Sequence, residues 1–227
     1  MSDTAPVIAI DGPGGAGKGT VCRLVAERLG WHLLDSGSLY RITAFAASQQ
    51  GINLEASQEV AEVARNLEVS FPNTEEGVRV ILAGDDVTDA IRSEEAGRAA
   101  SIVARDPAVR EALIDRQRAF AEAPGLVADG RDMGSVVFTD AGLKIFLTAS
   151  VEERARRRYK QLNDKGMDVS LPALSRDMEE RDRRDSERAV APLRATDDAR
   201  VLDSTDLGIQ EVVDQVMEWV AEVYPDA

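Results

Sequence analysis

The chain has 227 residues, of which 44% are apolar, so it can form one α/β domain with an insertion but is too short for two full-sized domains. Its formal net charge of −14 argues against a nucleic-acid coat or a membrane-surface protein, and it contains no apolar run long enough to span a membrane. The single cysteine, Cys22, excludes an intrachain disulfide, and the first residues lack the basic stretch of a secretion signal. We therefore expect a cytoplasmic protein that binds neither membranes nor nucleic acid.

Strands and helices alternate in the N-terminal part of the chain. The apolar residues 6–10 predict a buried strand, and a helix with one apolar stripe follows over Lys18–Leu29. A second strand is expected at 31–34 and a second helix at 40–49, where Gly51 ends it. This alternation predicts a parallel sheet.

The segment 67–88 has a different pattern, typical of short antiparallel strands. Apolar residues alternate on each side of a turn-rich joint: Leu67, Val69 and Phe71 before it, and Val78, Val80 and Leu82 after it. Because this segment interrupts the strand–helix pattern, we interpret it as an insertion that carries a small antiparallel sheet.

The C-terminal half returns to the first pattern. Helices are expected at 107–120 and 172–188, and strands at 126–128, 143–147 and 199–203. Between them, Ser150 and Glu153 form a predicted capping box at the start of another helix. The last helix has the clearest apolar stripe, formed by Ile209, Val212, Val213, Val216, Met217 and Val220. The whole predicts a five-stranded parallel sheet with helices on both faces.

The strongest motif follows the first predicted strand and opens the first helix. It runs through Gly12, Pro13, Gly14, Gly15, Ala16, Gly17, Lys18, Gly19 and Thr20. Glycines let successive backbone N–H groups point at phosphate oxygens, the helix N-terminus adds partial positive charge, and Lys18 supplies a full charge. Gly19 stands where the general P-loop pattern has Ser or Thr, and the hydroxyl comes at Thr20, a form typical of nucleoside-monophosphate kinases.

Three further segments carry charged residues at places where a ligand is expected. Residues 35–41 (DSGSLYR) connect a strand end to a helix start, and residues 129–134 (DGRDMG) directly follow a buried strand. Ligands of such sheets bind at the carboxyl ends of the strands. In the third segment, Arg181, Asp185 and Arg188 fall on one face of a predicted helix, although a solvated helix with internal ion pairs explains that pattern about as well.

Together these segments closely resemble bacterial cytidylate kinases. The resemblance is carried by GPGGAGKGT, DSGSLYR, GRDMG and RDRRDSERAVAPL, in this order, and by residues 100–118 between them. It covers essentially the whole chain from Val7 to the last helix. It implies a P-loop kinase domain over 1–227, with a monophosphate-binding insertion at about 51–98 and a short lid at about 154–188.

The resemblance also implies roles for individual residues. Arg41 and Arg131 would hold the phosphate of CMP or dCMP, and Ser101, Arg181 and Asp185 would contact the pentose. The residues around the cytosine would be Ser36, Arg110, Asp132 and Arg188. The donor is ATP with Mg²⁺, bound by residues 12–20, with Arg157 of the lid over the nucleotide and Thr20 as a possible magnesium ligand. We expect Lys18, Arg131, Arg157 and Asp132 to act in catalysis and the enzyme to be a monomer.

Two alternatives remain open from the residues alone. Another small-acceptor P-loop kinase, such as a shikimate or guanylate kinase, has the same loop, and an ATP-binding module without transfer chemistry shares it too. A GTP-binding switch is excluded because the chain has no Asn-Lys-x-Asp motif.

Overall fold

The computed structural model describes residues 5–74, 77–164 and 166–225, which fall into two compact units. The first unit contains the chain up to Asp35 and from Arg118 onward, and the second is Ser36–Gln117. In chain order, the strands are β1 (Val7–Asp11), β2 (His32–Asp35), β3 (Val69–Ser70), β4 (Asn73–Thr74), β5 (Gly77–Val78), β6 (Ile81–Leu82), β7 (Asp85–Asp86), β8 (Leu126–Gly130), β9 (Leu143–Thr148) and β10 (Arg200–Asp203). The helices are α1 (Lys18–Leu29), α2 (Ser36–Gln49), α3 (Ser57–Arg65), α4 (Thr88–Ile91), α5 (Glu94–Val103), α6 (Pro107–Arg118), α7 (Val151–Asp164), α8 (Leu171–Ser186) and α9 (Ile209–Val223).

The first unit is built on a five-stranded sheet in the order β10-β9-β1-β8-β2, with every pair parallel. All five residues of β1 are buried, so both faces of this central strand are covered. The register aligns Asp11 with Gly130 and with Phe146, which brings the carboxyl ends of the three middle strands to one edge. The predicted five-stranded parallel sheet is confirmed.

The core of this unit forms where α1 and α9 pack on one face of the sheet. Ile8, Ile10 and Ile145 from the strands meet Val25 of α1 and Val216 of α9, all 1% exposed or less. Burying side chains of this size contributes roughly 1.5–3 kcal/mol each. Gly30 ends α1 in a left-handed conformation, in which its N–H bonds the carbonyls of Ala26 and Glu27.

The second unit is mainly helical, with α2 packed against α3, α4 and α5. Two small antiparallel sheets extend it: β3, β6 and β7 form one and β4 with β5 forms the other. The predicted small antiparallel sheet is confirmed, and the hairpin of β4 and β5 adds a second one. The second sheet forms because β4 and β5 pair with each other as a hairpin at the predicted joint, whereas β6 pairs with β3 on one side and β7 on the other. Residues 75 and 76 of that joint lie outside the described residues.

Helix α2 begins at Ser36, four residues earlier than predicted, and α6 ends at Arg118, two residues earlier; the ends of α7 and α8 also differ from their predictions. Helix α7 begins with half of the predicted capping box, because Ser150 Oγ accepts from the N–H of Glu153 at 3.2 Å but the carboxylate of Glu153 pairs with Arg156 and Arg157. The N–H of Ser150 bonds Thr205 Oγ1 instead. Helix α8 ends at Ser186, so Arg188 lies beyond it rather than on its face.

Of the helices that the structure describes, none has the length and apolar composition needed to cross a membrane.

Candidate active site: a phosphate-binding loop and an arginine cluster

The glycine-rich loop connects β1 to α1 at the carboxyl edge of the sheet, as its sequence predicts. Three of its residues, Gly12, Gly15 and Gly17, have positive φ. Gly12 has no room for a side chain, because a Cβ there would lie 2.0 Å from the carbonyl oxygen of Leu147. The loop can therefore adopt this curl only with glycine at that position.

Lys18 lies at the first turn of α1 with its side chain 7% exposed. Its ammonium donates a hydrogen bond to the carbonyl of Pro13 at 3.0 Å and lies 3.9 Å from Asp129 Oδ1. Burial lowers the pKa of Lys18, and the nearby Asp129 carboxylate opposes that shift. The loop thus holds a cation whose hydration the fold has largely removed.

Asp129, at the end of β8, was not among the predicted site residues. Burial raises its pKa to about 7, although Lys18 acts in the opposite direction. Its carboxylate also faces the start of α1, since a Cβ on Gly19 would lie 3.5 Å from Oδ2. The sequence feature that could have identified Asp129 is its position at the end of a predicted buried strand, which pairs with β1 in the structure.

An arginine cluster borders the loop at Gly14. A Cβ at that position would lie 3.4 Å from Arg131 Nη2 and 3.4 Å from Arg181 Nη1, so both guanidinium groups stand against the loop. Arg131 Nε donates to Asp185 Oδ2 at 2.5 Å. Burial would raise the pKa of Asp185, but Arg131, Arg181 and Arg188 together hold it below its ordinary value. The structure thus brings four predicted substrate residues together.

Arg188 belongs to this cluster although α8 ends before it. Its Nε donates to the backbone carbonyl of Asp185 at 3.2 Å, and the N–H of Leu193 bonds the same carbonyl at 2.8 Å. The segment after α8 folds back on the helix end, which explains why Arg188 is close to Asp185 without continuing the predicted helix.

Asp132 lies at the start of a short π-helical turn, Met133–Val137, and is 4% exposed. That turn is held by Asp11 at the end of β1, whose two carboxylate oxygens accept the N–H groups of Met133 and Gly134, each at 2.8 Å. Burial raises the pKa of Asp11 to about 6 even though these two hydrogen bonds lower it. Asp11 therefore positions the turn that follows Arg131 and Asp132, a role that the sequence did not reveal.

The other predicted substrate residues belong to the second unit. Arg41 on α2 donates through Nη1 to the carbonyls of Ile91 at 2.8 Å and Ser93 at 3.1 Å. Its Nη2 would lie 3.2 Å from a Cβ on Gly97, and Ser101 Oγ donates to the Gly97 carbonyl. Arg41 therefore packs against α5 at Gly97, and Ser101, one turn further along α5, bonds the carbonyl of the same glycine.

Arg110 on α6 is buried and packs against α2, the helix that carries Arg41. Its guanidinium lies 5.7 Å from the centre of the Tyr40 ring, and its Nη1 donates to the carbonyl of Ala104 at 3.1 Å. Ser36, at the start of α2, is also buried. The second unit thus holds Ser36, Arg41, Ser101 and Arg110 in ordered helical positions.

Arg157 on α7 lies beside the loop. Its Nη1 approaches the carbonyl of Ala16 at 3.5 Å and its Nη2 donates to the carbonyl of Ser204 at 2.5 Å. Its Nε donates to Glu153 at 2.9 Å. The sequence assigns this residue to a lid that closes over ATP, and in the structure it already stands next to the loop.

The exposed hydroxyl of Thr20, at the start of α1, is a hard oxygen donor of the kind that Mg²⁺ binds. Within the described residues, no group of three or more His, Cys, Asp or Glu side chains is arranged to hold a metal ion.

The chain was compared with known proteins. Residues 8–222 match the family model described as cytidylate kinase. The chain is 56% identical to a cytidylate kinase of Aeromonas salmonicida over 100% of this chain and 99% of that protein, and 59% identical to one of Pseudomonas paraeruginosa over 96% of each. Among solved structures, it is similar to a gluconokinase from Sinorhizobium meliloti (15% identity, TM-score 0.48, covering 97% of this chain and 94% of that one). The family model and the two curated relatives show that the chain belongs to the cytidylate kinase family, as its motifs predict.

Proposed function

We propose that the enzyme transfers the γ-phosphate of ATP to the phosphate of CMP and dCMP, forming CDP and dCDP. The observation that carries this proposal is the position of Arg131 and Arg181 against Gly14 of the phosphate-binding loop. Transfer between two nucleotides brings two polyanions together, and a site for it needs cations at the junction of donor and acceptor. A loop that bound ATP alone would not need a second cationic cluster there.

On the donor side, residues 12–20 bind the phosphates of ATP through backbone N–H groups and Lys18. Arg157 binds the same nucleotide, which its closeness to Ala16 supports. Thr20 would help to hold Mg²⁺ beside the ATP phosphates, and the ion would supply neutralisation of phosphate charge.

On the acceptor side, Arg41 and Arg131 bind the phosphate of CMP, while Ser101, Arg181 and Asp185 contact the pentose. Ser36, Arg110, Asp132 and Arg188 recognise the cytosine. These assignments rest on the family resemblance, and the cluster of Arg131, Arg181, Asp185 and Arg188 supports the part that lies in the first unit.

The chemistry needs little proton transfer, because the attacking group is already an anionic phosphate oxygen. Lys18 and the arginines act by placing the two phosphates in line and by balancing their charge. Excluding water from the junction protects ATP from hydrolysis. We propose that the enzyme works in the cytoplasm, which its single cysteine, free and buried, supports, and that it acts as a monomer.

An acceptor panel tests the proposal. ADP release, coupled to a spectrophotometric readout, is measured with ATP and one of CMP, dCMP, UMP, GMP, AMP or shikimate. We expect fast release with CMP and dCMP and much slower release with the others. Preferential use of GMP or shikimate would assign another small-acceptor kinase, and the absence of any acceptor-dependent ADP release would assign a binding module without transfer chemistry.

A further inference from the structure

Arg154 on α7 is a buried arginine to which neither the motifs nor the mechanism above give a task. Its side chain is 3% exposed. Nε donates to the carbonyl of Ala149 at the end of β9, and Nη1 donates to the carbonyl of Gly14 in the phosphate-binding loop, each at 2.9 Å. Its two terminal nitrogens form a bidentate pair with Asp182 of α8, at 3.1 and 2.5 Å.

These contacts leave Arg154 little capacity to bind a nucleotide. A guanidinium has five N–H groups, and four hydrogen bonds to protein atoms are already formed. Its charge is matched by Asp182. In this respect Arg154 differs from Arg131 and Arg181, which line the loop beside the expected phosphates.

The hydrogen bond to Gly14 fixes the orientation of one peptide unit of the loop. A trans peptide is planar, and its C=O and N–H point in opposite directions. With the Gly14 carbonyl held on Arg154, the N–H of Gly15 is turned away from Arg154. We propose that Arg154 is a positioning residue that keeps this N–H directed at the β-phosphate of the bound nucleotide.

Packing around the same unit supports this role. A Cβ at Gly15 would lie 3.2 Å from Arg154 Cβ and 3.2 Å from Met178 Cε, so Arg154 and α8 enclose that side of the loop. Gly15 has a φ of 83°, in the left-handed region that glycine adopts about as readily as the right-handed one. Without Arg154, the peptide between two flexible glycines would lose the bond that selects its orientation.

The test compares Arg154→Lys with Arg156→Lys. Lysine keeps the charge but replaces a rigid fork by a single ammonium, which cannot reach Ala149, Gly14 and Asp182 together. Arg156, on the same helix, is 74% exposed and pairs with Glu153, so it is the matched control. Calorimetry then measures the dissociation constants of ADP and, separately, of CMP for each variant.

We expect Arg154→Lys to weaken ADP binding by roughly 10–100-fold, the value of one hydrogen bond to a charged group, and CMP binding much less. Arg156→Lys should leave both constants unchanged. Equal weakening of ADP and CMP, or unchanged ADP binding with a lower melting temperature, would show a structural role only and overturn the proposal.

A second variant keeps the test decisive if Arg154→Lys does not fold. Asp182→Asn preserves the shape of the bidentate partner but removes its charge, and it should weaken ADP binding in the same direction by a smaller factor. Unchanged ADP binding in a folded Asp182→Asn protein counts against the proposal. The inference rests on the proposed function only in that the loop binds the phosphates of ATP, so an acceptor panel that failed would leave this ADP measurement unaffected.

Discussion

Lys18 is a cation that folding has removed from water, and this prepares it to respond to phosphate charge. Burial lowers the pKa of Lys18, and it also removes the water that screens its charge, so the ammonium attracts a nearby anion more strongly than an exposed lysine does. We expect Lys18→Ala to lower kcat by about 10²–10³, the usual cost of losing one transition-state donor. Steady-state kinetics with saturating ATP and CMP measure this effect, with the exposed Lys160→Ala as the control. A Lys18→Ala enzyme with near-normal kcat would remove the lysine from the mechanism.

Asp132 is the residue proposed to select cytosine. The exocyclic amine of cytosine donates a hydrogen bond that a carboxylate accepts, whereas uracil presents a carbonyl oxygen at the same place. Sites built around a substrate N–H reject the analogue that lacks it by roughly 10⁴–10⁵. We therefore expect a strong preference for CMP over UMP, and Asp132→Ala should lose more kcat/KM on CMP than on UMP.

The two-substrate comparison separates this role from a structural one. If Asp132 only held a neighbouring arginine in place, the substitution would slow CMP and UMP by the same factor, and the base-reading role would have to be abandoned. Asp140→Ala, which removes an exposed carboxylate from the loop after the π-helical turn, should change neither value.

At the scale of elements, the sequence predicts most accurately where a short motif and a strong apolar run coincide. Helix α1 was predicted with its observed bounds because the loop begins it and Gly30 ends it. The helices α3 and α5 were not predicted, although Val60, Ala61, Val63 and Ala64 form an apolar stripe on the buried side of α3. The Met133–Val137 turn depends on Asp11, more than a hundred residues earlier, and no local pattern reports such a contact.

The residues of the candidate site likewise fall into those that the sequence identifies and those that it does not. Lys18 and Arg131 lie in motifs whose glycines and strand ends identify them. Arg154 could not be found, because an arginine on a highly charged helix is normally a solvated one, and only the packing of α7 against α8 buries it. Asp11 and Asp129 received no role from the sequence for the same reason, because their roles depend on burial and on partners that are distant in the chain.

Arg157 on helix α7 is proposed to bind ATP, and its substitution tests that role. Arg157 approaches the loop at Ala16, so Arg157→Ala should raise the KM for ATP by roughly 10-fold or more, as expected for a lost hydrogen bond to a charged ligand. CMP binding measured without ATP should be almost unchanged, and Arg156→Ala on the same helix is the control. If CMP binding collapses instead, Arg157 has been assigned to the wrong nucleotide.

The whole molecule carries 41 acidic and 27 basic residues, and its stability should therefore depend on pH through two separate effects. Lowering the pH reduces the general repulsion among carboxylates. In addition, Asp11 and Asp129 have pKa values of about 6 and about 7, both raised by burial from 3.8. The folded state therefore binds protons that the unfolded state has already released between about pH 4 and pH 7, and stability rises as the pH falls through that window.

Asp129→Asn isolates the second effect. The wild-type midpoint of thermal unfolding, measured without nucleotide, should rise from pH 8 to pH 5.5. Asparagine has the shape of the protonated carboxyl, so the variant should melt several degrees higher than wild type at pH 8, and this difference should become smaller at pH 5.5 and vanish only near pH 4. Asp140→Asn also removes one negative charge, but from an exposed position, and its midpoint should follow the wild-type slope. Parallel slopes for wild type and Asp129→Asn would mean that the buried carboxyl does not titrate in this range and that surface charge alone sets the dependence.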